Sequence, residues 1–420
     1  MADYVQKSGQ KLSTEPYKGV RDFYPEDQAF LNYFIDTCRG VVEKVGYEEY
    51  HASILEPVEL YKGKGAENEE IIREQVYTFT DRGEREVALR PEMTPTVARM
   101  VAARRRELAF PLRWYSIPNV FRYERPQRGR LREHWQLNVD LFGSRSLYAD
   151  AEIIGVAYGL MAAFGATESD FVIKLNSRAA LDELCASLKL DDTKKKVLMG
   201  LLDKMGKVPT DEFAANLRGL GLTPAQVLPA RPPKEIAQLI EEFKNAGISN
   251  IVYAPEVVRG FNYYTGVVFE VFDTHKDNSR ALFGGGRYDN LTALFDEDPI
   301  PGVGFGLGDV GIHNFLESRG LLPSYTPPAK VYIAIPEPRL APHAQTLAGL
   351  LREGGVNAAI DFGERKLGDQ IKNASKHKIP YLIVVGEKEL AEGRFVVRDL
   401  GSGEEQALDK GQLAEFFLNI

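Results

Sequence analysis

The segment from Leu131 to Leu141 constrains the fold more than any other, because its side chains alternate in character with a period of two. Leu131, Trp135, Leu137, Val139 and Leu141 fall on one face of the strand this spacing predicts, and Arg130, Arg132, His134, Gln136, Asn138 and Asp140 fall on the other. One face therefore joins a core. The other presents guanidinium, amide and carboxylate groups in register, a surface suited to a polar, anionic ligand. Pro126-Gln127-Arg128-Gly129 reads as a turn joining this strand to a preceding extended run. From Arg99 to Arg132 the chain holds ten Arg and no Lys, against only Glu107 and Glu124, and the planar fork of Arg matches phosphate and carboxylate bidentately. A solvated edge hairpin laced with salt bridges is the alternative reading of the same residues.

At 420 residues the chain is too long for one ordinary core and implies about two or three domains. A net charge of -8 argues against nucleic-acid binding through global positive charge, which leaves Arg99 to Arg132 as the local patch. Cys38 and Cys185 form no CxxC, and the six His show no metal-ligand spacing, so no metal site is expected. The leader lacks the basic-then-apolar pattern of a signal peptide, and no apolar run approaches a membrane span. The expectation is a cytoplasmic enzyme or binding protein with no membrane contact.

In chain order, Pro25-Glu26-Asp27 starts a helix with Phe30, Phe34, Val41 and Val45 at apolar spacing, ended by Gly46. A strand closed by Pro57 follows, then a polar, Gly-containing mobile loop at 62–70. A hairpin around Asp81-Arg82-Gly83 leads to a helix from Thr94 through Arg106. Residues 177–250 read as helical without strand signal, strands resume from Ile251, and a Pro-rich stretch precedes alternating strands and helices. That last pattern implies a separate small α/β domain of about 90 residues.

Three segments, FRYERPQRGR, VVRGFNYYTG and FGGGRYDNL, resemble motif 2 and the two histidine-specific signatures of histidyl-tRNA synthetases, a class II aminoacyl-tRNA synthetase family. RGVVEKVGYEEYHASILEP resembles motif 1, the dimer-forming helix and strand, and RKLGDQIKNASKHKIPYLIVVG resembles the anticodon-binding domain. The resemblance extends over nearly the whole chain. It implies an α+β catalytic domain at 1–325 built on a mostly antiparallel sheet with helices, interrupted by a helical insertion at about 170–250. It further implies a linker at 321–329 and a C-terminal α/β anticodon-binding domain at 330–420. The implied function is that of a histidine–tRNA ligase acting on L-histidine, ATP and histidine tRNA as a homodimer, with Mg2+ accompanying ATP.

By the same resemblance, Arg122 and Arg259 are catalytic: Arg122 lies on the α-phosphate, and Arg259 reaches that phosphate and the histidine carboxylate. Arg130 reaches ATP. Glu92, Thr94 and Gln136 hold the α-amino group, Asp140 and Tyr264 hold the two imidazole nitrogens, and Tyr263 stands beside them. The chemistry agrees, since a carboxylate attacking a phosphate needs its charge neutralised in a fixed geometry. Gly284, Gly285, Gly286 and Arg287 are read as pocket wall. The glycines of Gly302–Gly308 alternate, which fits a strand against which something flat packs.

Three departures from the family pattern stand out. Asp309-Val310 replaces the acidic residue and Arg of motif 3, with Asp309 read as a helix cap; Met93 replaces Gly, and Asn262 replaces Asp. Two rivals share the core: the histidine-sensing regulatory subunit of ATP phosphoribosyltransferase, which lacks the C-terminal domain, and a class II synthetase for another amino acid.

Overall fold

The computed structural model describes residues 12–62, 75–258 except 204, 206 and 207, and 263–420 except 277, 279, 296 and 364. Most of the leader, the expected loop from 63 onward, Arg259 and Asn262 lie outside the described residues. The chain divides into two compact units, Met1–Pro323 and Ser324–Ile420.

The strands of the first unit are β1 (Glu48–Glu49), β2 (Leu55–Pro57), β3 (Tyr77–Thr80), β4 (Glu86–Leu89), β5 (Leu112–Ser116), β6 (Asn119–Phe121), β7 (Glu133–Phe142), β8 (Phe171–Ser177), β9 (Ile251–Tyr253), β10 (Val267–Asp273), β11 (Ala281–Arg287) and β12 (Gly302–Gly308). Nine of them form one sheet in the order β1-β5-β7-β12-β11-β10-β8-β9, with β6 on β7. Only the end pairs β1·β5 and β8·β9 are parallel, so the sheet is mostly antiparallel, as expected. The alternating strand is β7, and it lies between β5 and β12 rather than at an edge, which removes the solvated-hairpin reading for this part of the chain.

Leu137, Val139 and Leu141 of β7 join Val303, Phe305, Leu307, Phe269, Ile173 and Leu175 in the main core. Helices Pro25–Val42, Leu147–Ala163, Lys234–Asn245 and Asp309–Arg319 cover that core with residues such as Phe34, Ile153, Leu160, Leu239 and Phe315. Helix Thr94–Arg104 belongs to a second cluster containing Met93, Val97, Phe142, Tyr264, Val268 and Tyr288. The polar face of β7 lies on the side of the sheet away from the main core.

Several local expectations change. The first helix buries Leu31, Phe34, Cys38 and Val42, whereas Val45 lies beyond it, 41% exposed; Gly46 follows at φ 89°. The strand expected to end at Pro57 is two short ones: β1 pairs with β5, and β2 joins β3 and β4 in a separate three-stranded sheet. The helices of 178–228 have a core of their own built on Leu181, Cys185, Leu198, Leu202, Phe213 and Leu217, while the helix Lys234–Asn245 packs on the main core.

The second unit is a five-stranded sheet between helices. Strand Val331–Ala334 is parallel to Ala358–Ile360 and to Tyr381–Val384, and Arg394–Asp399 and Glu405–Asp409 extend the sheet antiparallel. The last of these strands was not read from the sequence. Its hairpin turn is held by Asp399, whose Oδ1 accepts the N–H groups of Gly401 and Ser402 at 2.7 and 2.9 Å. Among the described residues no helix is long and apolar enough to cross a membrane.

Candidate active site

Register places the polar groups of β7 against glycines. Gly304, Gly306 and Gly308 of β12 stand opposite Asp140, Asn138 and Gln136, and Gly284 and Gly286 of β11 stand opposite Gly306 and Gly304. The face therefore carries a column of amide and carboxylate groups beside a floor without side chains. The glycines are required by space: a Cβ on Gly304 would lie 2.5 Å from Asp140 Oδ1 and 2.8 Å from the Tyr288 hydroxyl, and one on Gly286 would lie 2.9 Å from the Tyr264 ring.

Asp140 is 2% exposed. The Tyr288 hydroxyl donates to its Oδ1, while Oδ2 is buried and has no hydrogen-bond partner among the described residues. Burial pushes the Asp140 carboxyl up to about 7, the negative charge of Glu92 adds to the rise, and the Tyr288 bond opposes it. Tyr288 leads outward to Tyr263, whose ring centroid is 5.9 Å away, and the Tyr263 hydroxyl donates to Glu92 Oε2 at 3.2 Å. Tyr264 packs 4.9 Å from Tyr263. Gln136 donates to Asn138 Oδ1 at 2.6 Å. Arg122 extends from the end of β6 and donates through Nε to the Pro91 carbonyl at 2.9 Å, next to Glu92 and near Thr94, which opens its helix half-buried.

Glu92, Tyr263, Tyr264, Tyr288 and Asp140 thus form one connected constellation, with Gln136 and Asn138 along the same strand. The sequence profile of the histidyl-tRNA synthetase family matches residues 19–230 and 226–308, and that of an anticodon binding domain matches 330–420. A histidine–tRNA ligase of Leptospira biflexa is 41% identical over 415 residues, covering 94% of each chain. One of Thermoplasma volcanium is 35% identical over 430 residues, covering 96% of this chain and 98% of its own. The crystal structure of histidyl-tRNA synthetase from Nostoc sp. shares the fold, with a TM-score of 0.80 at 24% identity over 97% of this chain and 100% of that one. The chain belongs to the histidyl-tRNA synthetase family.

Within this family's framework, some expected site residues take other places. Arg287 and Gly285 are a correction to the pocket wall: they stand opposite Val303 and Phe305 and so face the core side of the sheet. Arg287 is 7% exposed and donates from Nε and Nη2 to Asp150 at 3.0 and 2.6 Å, and from Nη1 to the Ser144 carbonyl at 2.8 Å. It is a buried structural ion pair. Arg130 is 53% exposed and pairs with Glu124 at 3.2 Å.

The Arg-rich stretch is not one patch. Arg99 pairs with Glu56, Arg105 with Glu297 and Asp298, and Arg113 with Glu152, while Arg132 stacks over Tyr123. Asp309 does not occupy the cap position, which is Gly308's. It is wholly buried, accepting Trp135 N–H at 2.9 Å and the Arg21 guanidinium at 2.7 Å. Met93 is also wholly buried, in the cluster beneath Tyr264 and Tyr288.

The sequence reading missed Tyr288. The signal was present: Gly284, Gly286 and Tyr288 share one parity in β11 and its continuation, the parity that faces Asp140.

Proposed function

We propose that the chain is a histidine–tRNA ligase: it activates L-histidine with ATP to histidyl-adenylate and pyrophosphate, then transfers histidine to the 3′ end of its tRNA. The observation that carries this reading is the buried, unpartnered Oδ2 of Asp140, whose Oδ1 is held by Tyr288, on a glycine floor that Tyr264 also borders. A buried carboxylate oxygen left without a donor costs free energy until one arrives, and an imidazole N–H is a donor of the right size. A site that bonds both ring nitrogens rejects amino acids that leave its buried groups unpaired, by roughly 10⁴ or better.

In this reading Glu92, Thr94 and Gln136 hold the α-amino group, Asp140 and Tyr264 the imidazole nitrogens, and Tyr263 aligns Glu92. Arg122 and Arg259 neutralise the histidine carboxylate and the α-phosphate so that the two anions can meet, and the carboxylate oxygen displaces pyrophosphate. Arg130 approaches ATP from the hairpin. Mg2+ comes with ATP, held largely by phosphate and water oxygens, the ligands this hard cation takes. Residues 1–325 form the catalytic domain with its helical insertion, and 330–420 form the anticodon-binding domain. The cytoplasmic enzyme works as a homodimer through the first helix and its following strands.

Pyrophosphate exchange measured across the amino acids tests this. Exchange that depends on histidine, followed by charging of histidine tRNA, is expected. Histidine binding without exchange would favour the regulatory reading, and exchange with another amino acid would replace the substrate.

A further inference from the structure

Arg21 stands before the first helix, 288 residues from Asp309, yet its Nη2 lies 2.7 Å from Asp309 Oδ2. The other oxygen of that buried carboxylate accepts the N–H of Trp135, which ties Arg21 to the segment of β7 between His134 and Gln136. Gly308 borders this corner: a Cβ there would be in ordinary van der Waals contact with the His134 ring, at 3.5 Å. On the other flank of His134 is β6, with Val120 opposite His134 and Arg122 two residues further on the same parity. The half-buried His134 therefore lies between two guanidinium groups at the end of the polar column.

Neither cation is fully used by the protein. Arg122 has no carboxylate partner among the described residues, its Nε being spent on the Pro91 carbonyl. Arg21 is held over the Phe23 ring, 4.8 Å from its centroid, and its side chain remains 28% exposed. Its Nε is buried without a hydrogen-bond partner among the described residues. His134 is pushed down to about 3 by burial, then Arg122 and, less strongly, Arg21, against the bond with Gln136, so the imidazole is neutral and adds no third charge. Asp309 offsets the charge of Arg21, whereas Arg122 has no carboxylate partner among the described residues, so the two guanidiniums together carry an excess positive charge that an anion would offset.

We infer that Arg21, fixed by Asp309, is a second phosphate-binding residue, which with Arg122 grips the triphosphate of ATP from the two sides of His134. The inference rests on the proposed function for the identity of the anion. Asp309 sets the plane of the guanidinium, and the edge of Arg21 turned away from Asp309 binds phosphate oxygen in the charge-assisted way Arg favours.

The test is the affinity of the full chain for ATP and for adenosine, measured by titration calorimetry without histidine. Arg21→Ala alone strands a buried carboxylate, so the deciding variant is the double substitution Arg21→Ala/Asp309→Asn, in which no buried charge is left unpaired. Its ATP Kd is expected to rise roughly ten- to a hundred-fold, the range of a lost hydrogen bond to a charged group, while its adenosine Kd stays within about twofold of the starting value. Arg21→Lys, which retains charge but not the fork, should fall between. Equal weakening for ATP and adenosine, or no weakening of ATP, would overturn the inference. A starting chain that binds ATP but exchanges no pyrophosphate with histidine would defeat the proposed function instead, and the two affinity ratios would still decide the role of Arg21.

Discussion

The hydroxyl of Tyr288 donates to one oxygen of Asp140, and the second oxygen of the same carboxylate is buried with no partner among the described residues. One bond fixes the carboxylate's rotation, and the open oxygen is what a ligand finds. Removing the fixed bond should therefore damage ligand binding more than folding. In Tyr288→Phe, the histidine KM in pyrophosphate exchange should rise on the order of ten-fold or more, matching a buried acceptor stripped of its donor. The Tyr288 bond opposes the rise of the Asp140 carboxyl, so the variant's Asp140 titrates higher still. Its defect should shrink as pH is raised from about 7 to about 8.5, where more of the carboxylate is ionised, and a defect independent of pH would count against this role.

Asp140 also couples stability to pH in the ligand-free protein. Its carboxyl lies near 7 when folded, against an ordinary carboxylate value of 3.8. A group raised on folding holds more protons in the native state, so its stabilising effect is complete below about pH 4 and is lost as pH rises through about 7. At about 1.4 kcal/mol per pKa unit the effect is a few kcal/mol. The amide of an Asp140→Asn variant does not titrate and serves as the reference. In thermal melts, the parent's melting temperature relative to that variant should be higher at about pH 5 than at about pH 8. A difference that stays constant across this range would contradict the raised carboxyl.

The glycine floor separates two kinds of substitution. At Gly304 a Cβ would meet Asp140 Oδ1 at 2.5 Å and the Tyr288 hydroxyl at 2.8 Å, both on buried residues. At Gly306 it would meet Gln136 Cδ at 3.0 Å, near the end of a side chain that can swing aside. Gly304→Ala should lower stability by about 1–3 kcal/mol, the usual range for overpacking. Gly306→Ala should leave stability nearly unchanged and raise the histidine KM by displacing Gln136. Denaturant unfolding and exchange kinetics on both variants check the pair.

Arg287 should behave in the opposite manner to a pocket residue. Its guanidinium is buried against Asp150, and truncating one partner of such a pair costs roughly 3–5 kcal/mol because the other charge stays behind. Arg287→Ala should unfold at markedly lower denaturant, while any protein that remains folded keeps its histidine KM within about twofold.

The parts of the site carried by strand periodicity were legible in the sequence. The alternation of β7 separated Leu137, Val139 and Leu141 from Gln136, Asn138 and Asp140, and the alternation of glycines in Gly302–Gly308 marked a strand against which something flat packs, because a period of two survives whatever the strand pairs with. What depended on pairing partners was not legible. Arg287 and Gly285 lie on the core side because of their register with β12, which three consecutive glycines do not reveal. The Arg21–Asp309 contact joins segments 288 residues apart through one hydrogen bond, and no local pattern encodes it. The Arg-rich stretch scattered for a similar reason: its members leave a helix and two strands in different directions, and Arg99, Arg113 and Arg105 meet the distant carboxylates Glu56, Glu152 and Glu297. Tyr288 was within reach of the sequence, since extending the parity of Gly284 and Gly286 by one step arrives at it.

On the proposed function, the polar face of β7 and the Arg122 guanidinium together form a site where histidine meets ATP. Histidine-dependent pyrophosphate exchange by the unaltered chain and by Arg122→Ala measures it most directly. Robust exchange is expected with histidine alone among the amino acids, with a loss of at least about a hundred-fold in the variant and its melting temperature retained. Exchange that does not require histidine, or an Arg122→Ala variant as active as its parent, would contradict it.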